Sequence, residues 1–159
     1  MALTKGTNSY GTVAEADAHF EDRIDVAAWN DADDERKAQA LVTATHTLDD
    51  MSWTGVAVSE SQTLAFPRVG SYFDPKVGSM VTLDEVTVPS RITYATFELA
   101  YHYLNNDGLL DDTGSAIDLQ VGRIALKDVK LPGTVPSHVY THINPLLKNG
   151  GSNMWWRAW

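Results

Sequence analysis

The sequence contains no cysteine, which excludes disulfides and thiolate metal sites and is typical of a protein made in a reducing cytoplasm. It also lacks any apolar run near the ~20 residues of a membrane-spanning helix. Residues 1–10 are too polar for a secretory signal. We therefore expect a soluble chain, and its 159 residues suit one domain with an ordinary core.

Basic residues are few and dispersed. The chain has 12 Lys and Arg against 21 Asp and Glu, for a net charge of −9. Residues 1–50 carry eleven acidic and four basic residues, whereas residues 115–159 carry two acidic and five basic residues. Tight non-specific DNA binding needs clustered Lys and Arg, so this pattern argues against it. The opposite charges of the two ends permit head-to-tail contacts between copies.

Helix caps and apolar spacing predict the first helices. Thr12 and Glu15 form a capping box that opens a helix over 13–23. Asp25 is expected to cap one further turn that ends at Trp29.

A second, longer helix is predicted from Asp33, its cap, to about Met51. Its apolar spacing predicts a core face that consists of Ala38, Leu41, Val42, Thr45 and Leu48. The residues expected to face solvent are Arg36, Lys37 and Asp49.

The second half is predicted to hold two helices and a hairpin. Glycine and proline punctuate residues 52–89, which indicates loops with short extended pieces. A helix follows from Ser90 to about Asn106, and its predicted core face consists of Ile92, Ala95, Thr96, Leu99 and Tyr103. Alternating apolar residues across a Gly122 turn predict a β-hairpin at about 116–131. A final helix is expected over Pro136 to Lys148.

The predicted fold class is therefore mainly α, with about four helices, a short β-hairpin and an extended C-terminal tail. Residues 1–149 are expected to form one helical domain with a variable loop at about 70–87. Residues 150–159 are expected to form a flexible docking tail.

Templates for catalysis and metal binding fail. His138 and His142 are four apart on a predicted helix, but the glutamate of the metalloprotease motif is missing, so two surface histidines are the better interpretation. The acidic run Asp31, Asp33, Asp34, Glu35 and the group Asp107, Asp111, Asp112 lack the pattern of a calcium loop and are interpreted as caps and solvated acids. No nucleophile elbow or glycine-rich phosphate loop occurs. We expect no enzyme, no cofactor and no metal.

The C-terminus is the feature that most resists an ordinary structural explanation. The last five residues contain three of the five tryptophans, behind a Gly-Gly-Ser spacer at 150–152. Trp and Arg dominate binding hot spots. The alternatives are that the tail folds back on its own core or that it anchors in a partner's pocket, and the second is favoured. The predicted protein-interaction residues are Trp155, Trp156, Arg157 and Trp159.

Several segments, in order, resemble a known family. Asn8–Phe20 resembles the opening of tailed-phage head-tail adaptor proteins, also called connector or head-completion proteins, whose relatives often carry the label DnaT-like single-strand-binding protein. Further similar segments are Lys37–Leu41 with Ala44-Thr45 and Leu48-Asp49, then Trp53–Gly55, Gln62–Arg68, Val88-Pro89 leading into Ala95–Leu104, and Pro145–Lys148. The resemblance covers roughly residues 7–150. Residues 70–87 are longer than the family pattern, and the tryptophan tail does not belong to it.

The resemblance implies a structural virion protein. Such a protein forms a ring, commonly dodecameric, below the portal, which it reaches with a C-terminal segment, and it offers its other face to a tail or nozzle protein. DNA passes through the channel without specific binding, and no membrane is involved. The implied location is the virion neck, after assembly in the host cytoplasm. The resemblance also implies where the Phe66-Pro67-Arg68 segment lies. Phe66 is expected to pack under the helices, and Arg68 is expected to bond to carbonyls or an acid.

Two alternatives remain open. The first is a primosome-type single-strand DNA-binding protein, which needs stacking platforms and basic grooves. The second is an unrelated intracellular protein-interaction module.

Overall fold

The computed structural model describes residues 2–106, 116–121, 124–130 and 135–148. This part of the chain forms five α-helices and three antiparallel two-stranded ribbons. The helices are α1 (Val13–Glu21), α2 (Ala27–Asn30), α3 (Asp34–Asp49), α4 (Ser90–Asn105) and α5 (Ser137–Ile143). The strands pair as β1 (Val56–Ala57) with β2 (Arg68–Val69), β3 (Ser71–Asp74) with β4 (Ser79–Thr82), and β5 (Ala116–Val121) with β6 (Ile124–Lys130). The mainly helical prediction holds in the coarser sense of a small domain that mixes helices with short ribbons.

The beginning of α1 follows the predicted capping box. The Glu15 amide donates to the Thr12 hydroxyl over 3.2 Å, and the Thr12 amide donates to the Glu15 carboxylate over 2.9 Å. The predicted cap at Asp25 is wrong. Asp25 has φ +58°, a left-handed conformation, whereas an N-cap residue needs an extended backbone. The short helix α2 instead begins after Val26, without a side-chain cap.

The cap of α3 is confirmed, but its core face is rotated from the predicted one. Asp33 accepts a 2.7 Å hydrogen bond from the Arg36 amide. The residues of α3 that are buried are Ala40, Leu41, Ala44, Thr45 and Leu48, while Ala38 and Val42 are only half-buried. The rotation follows from packing, because α3 lies mainly against α4 and also contacts α1.

Helix α4 is the centre of the core. All five predicted core residues are buried, and Phe97, Glu98 and Ala100 are buried as well. The helix contacts α1, α2, α3 and α5. A helix that packs against four others has little solvent-facing surface to keep polar. The sequence pattern identified one face of α4 and missed the rest.

Helix α5 is shorter than the predicted 136–148. It ends at Ile143 and continues as a 3₁₀ turn over Asn144–Leu146, because Pro145 has no N–H to continue the α-helical ladder. The turn and the residues after it are bonded to the segment that follows α3. The Thr54 amide donates to the Leu146 carbonyl, and the Lys148 amide donates to the Ser52 carbonyl, each over 2.9 Å.

Loops with short extended pieces were predicted for residues 52–89. The extended pieces are present, and they pair with one another as the ribbons β1–β2 and β3–β4. The variable loop at 70–87 contains the β3–β4 ribbon. Strands β1 and β2 lie close at Gly55, where a Cβ atom would meet the Val69 carbonyl oxygen at 2.3 Å. Larger residues are therefore excluded from Gly55.

The Phe66-Pro67-Arg68 segment takes the predicted place. Phe66 is buried, and its ring centroid lies 6.2 Å from that of Tyr10 and 5.1 Å from that of Trp53. The peptide bond between Phe66 and Pro67 is cis. The Arg68 guanidinium donates to three backbone carbonyls, those of Thr54, Gly55 and Ala65. The predicted carbonyl bonding of Arg68 is confirmed.

The predicted hairpin at 116–131 occurs as the β5–β6 ribbon. Leu119 pairs with Leu126 and Val121 with Ile124, and the register shifts between Ile117 and Leu119. The predicted turn at Gly122 lies outside the described residues.

Two residues predicted to face solvent are engaged instead. The Tyr10 hydroxyl donates to the half-buried Asp49 carboxylate, which also accepts from the Ala65 amide over 3.1 Å. The same hydroxyl accepts from the Phe66 amide over 3.2 Å. Lys37 lies 3.0 Å from Asp17 and 5.4 Å from the centre of the Trp29 ring. Burial, together with the bond to Asp49, raises the pKa of Tyr10, so its hydroxyl stays protonated and remains a donor.

We predict that Tyr10→Phe lowers the free energy of unfolding by about 1–3 kcal/mol, because it leaves the Asp49 carboxylate and the Phe66 amide each short of a partner. Urea denaturation at neutral pH measures the loss. Tyr140→Phe is the matched control, since Tyr140 is exposed on α5. Equal stability of the two variants would contradict the role of the Tyr10 hydroxyl.

Candidate functional site

A buried carboxylate, Glu98, lies where α1, α4 and α5 meet. Because residues 95–100 of α4 are all buried, Glu98 loses water and needs charged or polar partners. The Nε2 atom of His19 lies 3.0 Å from Oε1, and Arg23 donates to Oε2. The Nε2 atom of His138 lies 4.0 Å from Oε2. The arrangement joins α1, through His19, and the segment just after it, through Arg23, to α4.

The charge state of Glu98 follows from these partners. Burial favours the neutral acid, but the hydrogen bonds from His19 and Arg23 outweigh it, and the pKa of Glu98 lies below its usual range. A carboxylate with a lowered pKa that already accepts two hydrogen bonds is a weak base. The cluster therefore suits helix packing better than proton transfer.

The two histidines of the failed metal template differ in burial. His138 is exposed, as predicted for a surface histidine, but His142 is half-buried with its ring centroid 6.4 Å from that of Tyr94. Burial lowers the pKa of His142, which favours its neutral form. Among the described residues, no group of three or more His, Asp or Glu is placed to hold a metal ion.

The acidic runs divide between a cap and solvated residues. Asp33 is the N-cap of α3, and its neighbours Asp31, Asp34 and Glu35 are exposed. Asp107, Asp111 and Asp112 lie outside the described residues, as do the predicted interaction residues Trp155, Trp156, Arg157 and Trp159.

Five of the eight basic side chains that the structure describes are engaged within the chain. Four of them pair with carboxylates: Lys5 with Glu15, Arg23 with Glu98, Lys37 with Asp17, and Arg91 with Asp74. Arg68 is bonded to carbonyls, as described above. A groove that tracks a nucleic-acid backbone needs several cations free to meet phosphates. These five cations are committed to internal partners.

The ribbons β1–β2 and β3–β4 present an apolar surface to solvent. Along 68–74 the exposed residues are Val69, Ser71 and Phe73, while those between them are at least partly buried. This alternation places one face of the extended segment outward. The cross-strand partners Val56 and Met80 lie on the same face, since Val56 pairs with Val69 and Met80 with Phe73. We name Val56, Val69, Phe73 and Met80 the outer apolar face.

The exposure of this face is high for apolar side chains. Phe73 is 54% exposed, Met80 63% and Val56 65%. The inward face of the same segment holds the ribbon to the domain, because Asp74 is bonded to Arg91 of α4. Sequence reasoning missed the face, because Val69 and Phe73 alternate with the charged Arg68 and Asp74, a pattern that ordinarily indicates apolar side chains turned toward the core. The polar pair Ser71 and Thr82 lies between the pairs Val56–Val69 and Phe73–Met80 on this face. Exposed apolar side chains grouped in this way are typical of an interaction surface.

Comparison with known protein families finds a family that this chain matches over nearly its whole length. Its profile matches residues 2–157, and its description is "Putative DnaT-like ssDNA binding protein". The chain belongs to this family. No curated protein and no solved structure matches the chain. The description is that of a binding protein and not of an enzyme, which agrees with the prediction of a non-enzymatic protein. Within the described part of the chain, no helix is both long and apolar enough to span a membrane.

We predict that Glu98→Gln lowers the free energy of unfolding at pH 7 by about 1–3 kcal/mol, because a buried salt-bridge cluster loses its only carboxylate. The lowered pKa means that the charge of Glu98 contributes stability above the unfolded value of about 4.3. That contribution is lost as the pH falls through the folded pKa. The difference between the variant and the wild type should therefore shrink at pH 3.

Denaturant titrations at pH 7 and pH 3 measure both effects. Glu21→Gln is the control, since Glu21 is an exposed carboxylate on α1. A Glu98→Gln deficit that is unchanged or larger at pH 3 would contradict the assignment.

Proposed function

We propose that the protein is a structural virion protein, a head-tail adaptor that forms a ring below the portal and links the capsid to the tail around the DNA channel. The observation that carries the proposal is the outer apolar face. A small domain that leaves Phe73 and Met80 in solvent is suited to assembly, where such a surface is covered by another protein. Several segments resemble phage adaptor proteins and occur in the same order along the chain. This resemblance indicates the kind of assembly.

The charge distribution supports a channel protein. The net charge is −9, and several of the described cations are paired within the chain. Little free positive charge therefore remains to bind DNA phosphates. DNA slides through a channel more easily during ejection when the channel wall does not bind its phosphates. The DNA is therefore a passing cargo in this proposal, not a ligand.

The tryptophan tail supplies the proposed attachment to the portal. The described fold closes at Lys148, which is bonded to Ser52. Residues 150–152 form a Gly-Gly-Ser spacer, and Trp155, Trp156, Arg157 and Trp159 follow as the anchor. The opposite face meets a tail or nozzle protein. The proposed location is the virion neck, with the ring assembled in the host cytoplasm.

Single-strand DNA binding is the second candidate, and the family description favours it. One local feature fits as well. The rings of Tyr94 and His19 stack at 5.2 Å with an interplanar angle of 21°, and Tyr94 is 43% exposed, so a base has an aromatic surface to stack on. The cations nearest this surface, Lys5 and Arg23, are already paired with Glu15 and Glu98, so they leave little positive charge beside it to hold phosphates. We therefore rank DNA binding below assembly.

We predict that truncation after Asn149 leaves the domain folded but abolishes attachment to portal-bearing capsids, because the anchor is lost and the bonds at Lys148 are kept. Electron microscopy of capsids incubated with each chain measures attachment, and thermal melting measures folding. The full chain should add a ring at the portal vertex. A full-length chain with Trp155, Trp156 and Trp159 changed to serine is the control that separates chemistry from length, and it should also fail to attach.

Two outcomes count against the anchor. If the truncated chain melts far lower than the full chain, the tail belongs to its own core. If it attaches normally, the portal contact lies elsewhere.

A further inference from the structure

The outer edge of β4 is open in the described part of the chain. Among the described strands, β4 pairs with β3 alone. Its residues Ser79, Met80 and Thr82 are exposed. The strand contains neither proline nor a charged residue, which commonly protect a sheet edge from pairing. The edge can therefore accept another strand.

The backbone ladder of the ribbon determines which groups of β4 point to this edge. The Leu83 amide donates to the Gly70 carbonyl over 2.8 Å, and the next pair along the ladder is Ser71 with Thr82. Hydrogen-bonded and non-hydrogen-bonded pairs alternate in an antiparallel ladder. Thr82 and Met80 therefore belong to non-hydrogen-bonded pairs with β3, and their N–H and C=O groups point outward. These are the groups that an added strand would bond.

The same alternation decides which faces join when a second copy adds its own β4 to this edge. Outward-pointing residues of one copy must lie opposite outward-pointing residues of the other. Met80 is one of them, and its side chain belongs to the outer apolar face. Residues opposite one another share a face of the sheet. Edge pairing of two copies therefore joins their outer apolar faces into one surface.

One antiparallel register matches both the apolar and the charged residues of two copies. When Met80 lies opposite Met80 of the second copy, Phe73 and Met80 of both copies form a row across four strands. The same register places Lys76 of each copy opposite Asp84 of the other, and both residues are exposed. Opposite charges at the rim of a contact favour one register over others. A shift by two residues separates both pairs.

We infer that two copies of the chain pair through the edges of β4, antiparallel and with Met80 opposite Met80, to form a four-stranded sheet. The contact is isologous, because the same strand serves both copies, and it closes at two. It is therefore not the contact that builds a ring, and it goes beyond the proposed function. Edge pairing covers the open edge and leaves the joined apolar face to another protein. A contact between two four-residue strands is small, so the dimer is weak and reversible.

A cysteine experiment tests the register. The chain has no native cysteine, so Met80→Cys introduces a single thiol. In the inferred dimer the two positions 80 lie about 5.5 Å apart at Cα, which a disulfide spans. Thr82→Cys is the matched control, because Thr82 is exposed on the same face of β4. Its two copies would lie about 13 Å apart along the strands.

Under mild oxidation, Met80→Cys should form a disulfide-linked dimer at least tenfold faster than Thr82→Cys. Non-reducing electrophoresis over time measures both rates. Equal rates, or faster linkage of Thr82→Cys, overturn the inference.

A proline substitution tests the backbone bonds without removing an apolar side chain. Proline has no N–H, and the Thr82 N–H points away from β3. Thr82→Pro therefore removes one bond from each copy in the dimer and keeps the bonds between β3 and β4. The dissociation constant of the dimer, measured by sedimentation equilibrium, should rise about tenfold or more. Thr82→Ala is the matched control, since it keeps the N–H, and its constant should stay within about twofold of the wild type.

Two results of the sedimentation experiment overturn the inference. One is a wild type that stays monomeric at its highest soluble concentration. The other is a Thr82→Pro chain that has a native circular dichroism spectrum and dimerises like the wild type. If Thr82→Pro disturbs the ribbon, the cross-linking rates decide. The proposed ring is judged separately by microscopy of capsids, because it does not use this contact.

Discussion

The hydrogen bonds around the Tyr10 hydroxyl connect three parts of the chain that are far apart in sequence. The hydroxyl joins the segment before α1 to Asp49 at the end of α3 and to the Phe66 amide, while Asp49 also holds the Ala65 amide. Phe66 then packs on Tyr10 and Trp53, and Arg68 fixes the loop carbonyls next to it. Strand β2 follows directly, so the position of the outer apolar face depends on this polar network inside the core.

Local signals predicted what local physics controls. The capping box at Thr12, the cap at Asp33 and the apolar stripe of α4 were all readable, because caps and helical periodicity act within a few residues. Asp49 and Lys37 were misjudged, since their partners Tyr10, Asp17 and Trp29 are distant in sequence. The rotated face of α3 has the same origin in tertiary packing. The outer apolar face was not predicted, because Gly70 and the flanking Pro67 and Pro75 indicated a loop and because apolar residues that alternate with charged ones ordinarily face the core. The tryptophan tail stays a prediction.

The molecule has a net acidic surface on which several charged side chains pair with one another. It also has an exposed apolar surface, the outer apolar face. Four cations pair with carboxylates of the same chain, those of Glu98, Asp74, Asp17 and Glu15. These cations are therefore not free to bind the phosphates of a nucleic acid. The outer apolar face remains for contacts with protein. Membership in a family described by single-strand DNA binding and a surface suited to assembly are compatible if the DNA passes through a ring without being held.

The central claim is that this chain assembles and does not grip DNA. Fluorescence anisotropy of a labelled single strand, titrated with the full chain at physiological salt, tests it most directly, with a duplex of the same sequence in parallel. The account predicts no saturable change with either probe across the micromolar range, since the chain carries a net charge of −9 and five of its eight described basic side chains are engaged within the chain. Saturable sub-micromolar binding to the single strand, weakened by added salt, would contradict the account and favour the DNA-binding function that the family description names.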